Sequence, residues 1–535
     1  MKSKASFPLI LRITLFSWLL TPVAFAANSA WNLSPASGNW NTATNWTPAA
    51  VPDGPTSIGT FAVSNQTTVS LAFVLQLSGI VFNSGASAFT IDVTPKFTST
   101  TIGGAGIINN SGITQNFVTD IDPARTQGLM VFSNSATAGS LTLFTNHGGK
   151  VSGNGGSATL FTGTSSADHG VFVNNGGAVS GAAGGFVGFS DSTTAGNGTF
   201  TAEGGVVSGA SGGPVSFSGA ATAGAGVFTI KGGAVGGASG ALAKFFDTSS
   251  AGNATIIVNN GATGSIGAFI AMEDDSTGGT ARLEAFGNGY LDISFHNAPG
   301  LTCGSVEGTG SVFLGAVNLT VGSNDLSTAI LGVIQDGGQN GGTGGSLTKV
   351  GSGTLTLTKS NTYTGGTIVN EGVLLLRNTA GSGTGPGAVQ VNGGTLSGNG
   401  IVAGPVTIGT GSGGGAFLAP ASGTTKGIFT TQSSLTLNAD ATYTYTARAQ
   451  GSQAQTDKVV ANGVTINGAT FSFLATVRGT LAAGTAFTVI NNTAATAISG
   501  IFSNLPDGST IAVGRNTFQA SYEGGDGNDL TLTVQ

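Results

Sequence analysis

Cysteine is nearly absent. Cys303 stands alone, so the chain can form no internal disulfide and no multi-cysteine zinc site, and its expected place is that of a small buried apolar residue. Histidine is almost as scarce, with His147, His169 and His296 the three in the chain. Charge is sparse too: 17 basic and 23 acidic residues among 535 leave a net −6. Beyond residue 26 no Lys/Arg cluster occurs, which argues against nucleic acid as a partner, since such binders need a broad basic footprint. Nor is there an apolar run of the ~20 residues that a membrane-spanning helix requires. No integral membrane segment is therefore expected in the mature chain.

The one charged, then apolar, opening has a different meaning. Lys2, Lys4 and Arg12 precede the short apolar stretch Ile13 to Leu20, and Ala24-Phe25-Ala26 follows. This is the layout of a secretory signal peptide, with Ala24 and Ala26 marking the cleavage site. An extracellular or cell-surface location is the expectation. No cysteine stands directly after the cleavage site, so a lipid anchor is not expected.

What the chain does have is glycine, 92 residues of it, together with 39% hydrophobic residues and 31 Phe. A disordered glycine-rich chain would be poor in hydrophobic residues; this is instead a strand-forming mixture punctuated by turns. Gly-Gly pairs recur at Gly148-Gly149, Gly176-Gly177, Gly204-Gly205 and Gly232-Gly233, always 28 residues apart, and Asn260-Gly261 begins a fifth unit. Three further columns keep that period: Phe161, Phe189, Phe217 and Phe245; Phe144, Phe172, Phe200 and Phe228, continued by Ile256; and Val151, Val179, Val207 and Val235. Each unit reads as three short strands, in the second unit Ala178-Val179-Ser180, Phe186 to Phe189 and Gly198 to Thr201, joined by corners suited to φ > 0. Helical periodicity is lacking. A β-propeller blade would be longer and four-stranded. The fold expected is all-β, a right-handed parallel β-helix or solenoid with 28-residue three-strand coils, in which each Phe column becomes an interior ladder.

Downstream, Gly353-Thr354-Leu355-Thr356-Leu357 leads into Asn361-Thr362-Tyr363-Thr364-Gly365-Gly366 and then Asn370-Glu371-Gly372. This closely resembles the autotransporter-associated β-strand repeat over about 30 residues, from Gly345 onward. A looser likeness continues through Gly393 to Gly400 and on to the C-terminus, although Pro420-Ala421 stands where the family often has Pro-Gly. The resemblance implies a bacterial, secreted or surface-exposed β-helical passenger region, and no one activity. A C-terminal translocator barrel is not expected, because the ~110 residues after Gly427 are too few for most such barrels.

Five segments are expected: a signal peptide at 1–26, an N-terminal Trp-containing cap with the first coils at 27–105, and 28-residue coils at 106–345. Strand repeats of the autotransporter-associated type follow at 346–420, and a β-rich cap at 421–535. In that last segment Tyr443 to Tyr445, Val459-Val460, Val464 to Ile466, Phe471 to Leu474, Phe487 to Ile490 and Leu530 to Val534 read as strands.

Candidate sites are few. Trp31, Trp40 and Trp46 cluster after the cleavage site, either as a hydrophobic plug on the first coil or as a sugar-stacking surface. Asp120 and Asp122 with Arg125, and Glu273-Asp274-Asp275 with Arg282, are acidic groups of the kind that bind Ca²⁺ or hydrolyse glycosides. Pro123 places the first group in a turn, and solvated corners are the expectation for both. Gly524-Gly525-Asp526-Gly527-Asn528-Asp529 resembles a calcium-binding nonapeptide but occurs once, so a hairpin turn is expected. His147 and His169 occupy different phases of the period and should not meet. No catalytic residue, metal ligand or cofactor is expected. The function expected is structural or adhesin-like, without catalysis, and the partners are extracellular polysaccharide or cell-surface components. The alternatives are a carbohydrate-binding protein built on the Trp cluster and a β-helix polysaccharide lyase or hydrolase.

Overall fold

A computed structural model describes residues 27–93, 99–122, 127–420, 426–450 and 453–535. The signal segment, with Ala24 and Ala26, lies outside the described residues. The chain is a parallel β-solenoid. Short strands in which buried residues alternate with more exposed ones, such as Val171–Asn174 and Val227–Ile230, turn one side of each strand inward. Each strand pairs in register with its counterpart one coil later. Among the described residues no helix is long and apolar enough to cross a membrane.

The expected Phe columns are the core. Phe161 pairs with Phe189, then Phe217, then Phe245, and on the adjoining face Phe144 pairs with Phe172, Phe200 and Phe228. All are essentially fully buried. Within a column, ring centroids are 4.6–4.9 Å apart and planes lie within 9°, the distance the strand spacing of ~4.8 Å imposes. Between columns the rings meet edge to face at 5.8 Å, the favoured geometry for opposed quadrupoles. Ile256 and Leu283 continue one column and Met272 the other.

The Val column belongs elsewhere. Ala178-Val179-Ser180 is a turn, and Val207 and Val235 are 36% and 39% exposed. The third side of these coils is drawn by single bridging residues, Thr137, Ser166, Thr194, Thr222, Ser250 and Thr277. At Gly300–Gly308 the coil changes shape: its first half pairs with Asn318–Val321 and its end with Thr328–Ile330. The bridge line thereby widens into a true ladder through Ser346–Lys349, Thr367–Val369, Val389–Val391 and on to Ser499–Ile501.

The paired glycines are required by proximity rather than by φ. A Cβ on Gly148, Gly176 or Gly204 would strike the carbonyl oxygen of the Gly one coil later. The left-handed corner is a separate column, in which Asp191, Gly219, Asp247 and Asp274 have φ of 57°, 61°, 55° and 52°. Its coils are tied by carboxylates: Gly163 N–H donates to Asp191 at 2.8 Å and Gly219 N–H to Asp247 at 3.0 Å.

Pairing runs unbroken across residue 345, and the expected boundary at 105 falls inside the strand Ser99–Asn109. Parallel coils also continue well past 421. The closing element is shorter than expected, made of the antiparallel strands Thr510–Val513, Asn516–Gly524 and Asp529–Val534.

Removing one rung of the ladder should be costly. Phe189→Ala is predicted to lower stability by about 3–5 kcal/mol through the cavity it leaves, whereas Val207→Ala should stay within about 0.5 kcal/mol. Chemical denaturation of both variants checks the pair, and equal effects would contradict the interior assignment.

Candidate functional site

The segment that resembles the autotransporter-associated repeat is two coils of the solenoid, and its characteristic residues join coils. Lys349 ends the strand Ser346–Lys349, and strand alternation turns its side chain inward, where it is 1% exposed. Its ammonium donates to the carbonyls of Val350 at 2.7 Å, Gly351 at 2.6 Å and, one coil later, Glu371 at 3.3 Å. All three protons are thus used. Burial pulls its pKa below the ordinary lysine value, against the pull of Glu371 and Asp325. Gly372 has φ 67°, and a Cβ there would sit within 2.5 Å of the carbonyl oxygens of Gly351 and Gly353 and 2.8 Å from the Lys349 Nζ, which accounts for the glycine of Asn370-Glu371-Gly372.

Asn361 does the work of a strand. After Ile334–Gln335 the first face has no regular ladder for two coils, and Asn361 bridges the gap. Its Oδ1 accepts Ile334 N–H at 2.8 Å and its Nδ2 donates to Gly383 O at 2.6 Å. Asn378 repeats the pattern against Ile401. Tyr363 is fully buried, with its hydroxyl 2.6 Å from Thr367 Oγ1. Farther on, Asp440 closes the loop 409–413 by accepting the N–H groups of Thr410, Gly411 and Gly413 at 2.7–3.0 Å. Desolvation acts upward on this carboxyl, but these donors outweigh it and hold it down to about 2.

The sequence-derived candidates are placed as follows. Trp31, Trp40 and Trp46 are 3%, 0% and 1% exposed. They fill the open end of the first coil, packed on one another and on Phe61 at centroid distances of 4.7–6.0 Å. Their indole N–H groups donate to the carbonyls of Gln66, Pro52 and Trp40. The sugar-stacking reading of this cluster is corrected: no indole presents a face to solvent, because the first coil has no neighbour to cover its interior.

Asp120 pairs with Lys150 at 2.6 Å. Its neighbour in space is Asp92, a coil earlier, whose carboxyl is pushed up by burial and then by the Asp120 charge. Asp92 lies 28 residues before Asp120, the period of the later coils, but sequence spacing did not bring it forward because no third acidic residue continues that column. Arg125 and Pro123 lie outside the described residues. Glu273 pairs with Lys244 at 2.8 Å, Asp274 accepts Asp247 N–H, and Asp275 accepts Asn297 Nδ2. Arg282 turns away from that run to Glu284 and Glu307. His147 meets Asn175, His169 meets Asp168, and His296 meets Ser276 O and Asn297 O. Among the described residues no three His, Cys, Asp or Glu side chains are grouped to hold a metal. Cys303 is buried, which pushes its thiol up to about 12. Residues 525–528 form the turn between Asn516–Gly524 and Asp529–Val534.

One feature escaped sequence reasoning. On the outer side of the first face, an open groove of about 480 Å³ is lined by Tyr290, Asp292, Phe313 and Gln339 with Asn288, Ser311 and Gly338. Its wall is the glycine-rich segment 336–345, which folds back along the sheet. Asp336 pins one end of that segment by accepting the N–H groups of Gly344 and Gly345 at 3.2 and 3.0 Å. Gln339 N–H donates to Asp292 Oδ2 at 2.8 Å, and Asn340 N–H to Ser294 Oγ at 3.0 Å.

Residues 347–376 match the model of the passenger-associated-transport-repeat. These are the coils built around Lys349, Asn361 and Tyr363, and through them the chain is similar to autotransporter passengers. No curated protein matches the chain.

Lys349→Met is expected to lower stability by about 2–4 kcal/mol, since three carbonyls lose a charged donor; calorimetry on the variant is the check, and an unshifted transition would refute the clip. Because the Asp440 carboxyl is depressed in the fold, its contribution is complete above the usual carboxylate range and is lost as pH falls through about 2. Hydrogen exchange at Thr410, Gly411 and Gly413 should therefore quicken at the acid end of that range, relative to the amides of the Phe strands.

Proposed function

We propose that this chain is an exported, non-catalytic β-solenoid that acts at the cell surface as a structural or adhesin-like rod. The observation that carries the reading is the passenger-type repeat embedded, in register, in the coil stack. A passenger body of this kind is a scaffold whose long lateral surfaces are available for contact. Its acidic residues support the reading as well. Asp120 and Glu273, which a polysaccharide-cleaving enzyme would hold free for acid–base work, are engaged in ion pairs with Lys150 and Lys244. Ion-paired corners of this kind hold coils together, as a scaffold requires.

Export is expected to remove the segment ending at Ala26, so the N-terminus of the surface form should be Ala27. Protease shaving of intact cells followed by N-terminal sequencing tests this, and retention of the chain in the cytoplasm would defeat the proposal. Incubation of the purified chain with acidic and neutral polysaccharides, with and without Ca²⁺, is expected to release no reducing or unsaturated ends.

A further inference from the structure

We propose that the groove beside the segment 336–345 binds a neutral glycan chain. Tyr290 and Phe313 are its aromatic lining, and Phe269 backs Tyr290 from the coil before. Phe269 and Tyr290 stack at 4.9 Å with planes 3° apart, while Phe313, one coil later, is turned 87° from Tyr290 at 5.5 Å. The first two rings are stacked along the solenoid axis, so the plane of Phe313 runs parallel to that axis. A pyranose lying along the sheet can place its C–H face on a ring so disposed, while its hydroxyls reach the groove edge. Aromatic bodies with a few placed polar groups are the usual make-up of such clefts.

The polar lining is neutral or already satisfied. Gln339 Nε2 lies 3.3 Å from the Tyr290 hydroxyl, and Asn288 and Ser311 add an amide and a hydroxyl at the rim. Asp292 is 3% exposed, and its two oxygens accept the N–H groups of Ser294 and Gln339 at 2.8 Å each. That carboxylate holds the wall in place and brings negative charge beneath the groove. Among the described residues no Lys or Arg lines it. A uronate or sulfated sugar would meet repulsion and find no cation to offset it, whereas an uncharged sugar chain meets neither. The wall is also built for close approach: a Cβ on Gly338 would lie 2.7 Å from both Asp292 Oδ1 and Ser294 Oγ. The site is far from the Trp cluster in the coil order and owes nothing to it. It is also independent of where the chain resides.

The test uses the purified full chain, with short neutral oligosaccharides of glucose and of N-acetylglucosamine, and oligogalacturonate as the anionic probe. Saturation-transfer NMR and titration calorimetry should register at least one neutral series and leave oligogalacturonate unbound. Gln339→Ala should weaken binding by about tenfold with an unchanged melting curve, because the residue lies on the wall and outside the core. Phe313→Ala should abolish binding; if that variant unfolds, Gln339→Ala alone decides. Binding of none of the neutral sugars, equal affinity in the Gln339 variant, or preference for the anionic probe would each overturn the proposal. Since the measurement is made in solution, a chain that fails to reach the cell surface leaves this result unaffected.

Discussion

Everything in this molecule is governed by the distance between one coil and the next. Parallel strands pair at ~4.8 Å, and a solenoid must hold that spacing on every side at once, corners included. A side chain at a given position therefore meets its own counterpart above and below. Flat rings tolerate this best, and the two Phe columns stack with nearly parallel planes. Glycine is imposed where backbone meets backbone, as at Gly176 and Gly204. Opposite charges meet across one coil step at Glu203–Lys231 and Lys244–Glu273, whereas Glu284 and Glu307, paired in register, share Arg282 between them. Like charges repeated in a column would repel at close range.

The same constraint shapes the passenger-type coils. There the regular ladder of the first face lapses, and single side chains take over its bonding. Asn361 and Asn378 each offer a carbonyl and an amide group, so one residue both accepts from and donates to neighbouring coils. Lys349 joins a corner as a donor alone, its ammonium bonding three carbonyls. These clips let coil shape change without opening the stack. The ends are solved differently: three indoles cover the first coil, and antiparallel strands turn the last one back on itself. Both devices blunt exposed edges that would otherwise pair with other chains.

Much of this was legible in the residues. The Phe columns, the strand Phe186–Phe189, the C-terminal strands from Tyr443 to Val534 and the hairpin before Asp529 are where periodicity and turn chemistry put them. The Val column was misleading because a strict period marks every equivalent position, buried or not; Val207 repeats faithfully in an exposed turn. The Trp cluster was visible, and of its two readings the hydrophobic plug on the first coil is the one its burial bears out. The groove at Tyr290 and Phe313 had no signal at all. Its wall comes from a glycine-rich segment whose fold-back onto Asp292 and Ser294 spans more than one coil.

The sequence by itself determined the period, the parallel stack and the kinship of residues 347–376 to passenger repeats, because stacked coils write their spacing directly into the chain. Only the tertiary structure decided which repeating positions point inward, that the third side is first a line of single bridges and then a ladder, and that the indoles are enclosed. These depend on how strand direction and corner geometry orient each side chain relative to the axis. Two residues at the same spacing can share a column and still lie on opposite sides of the wall.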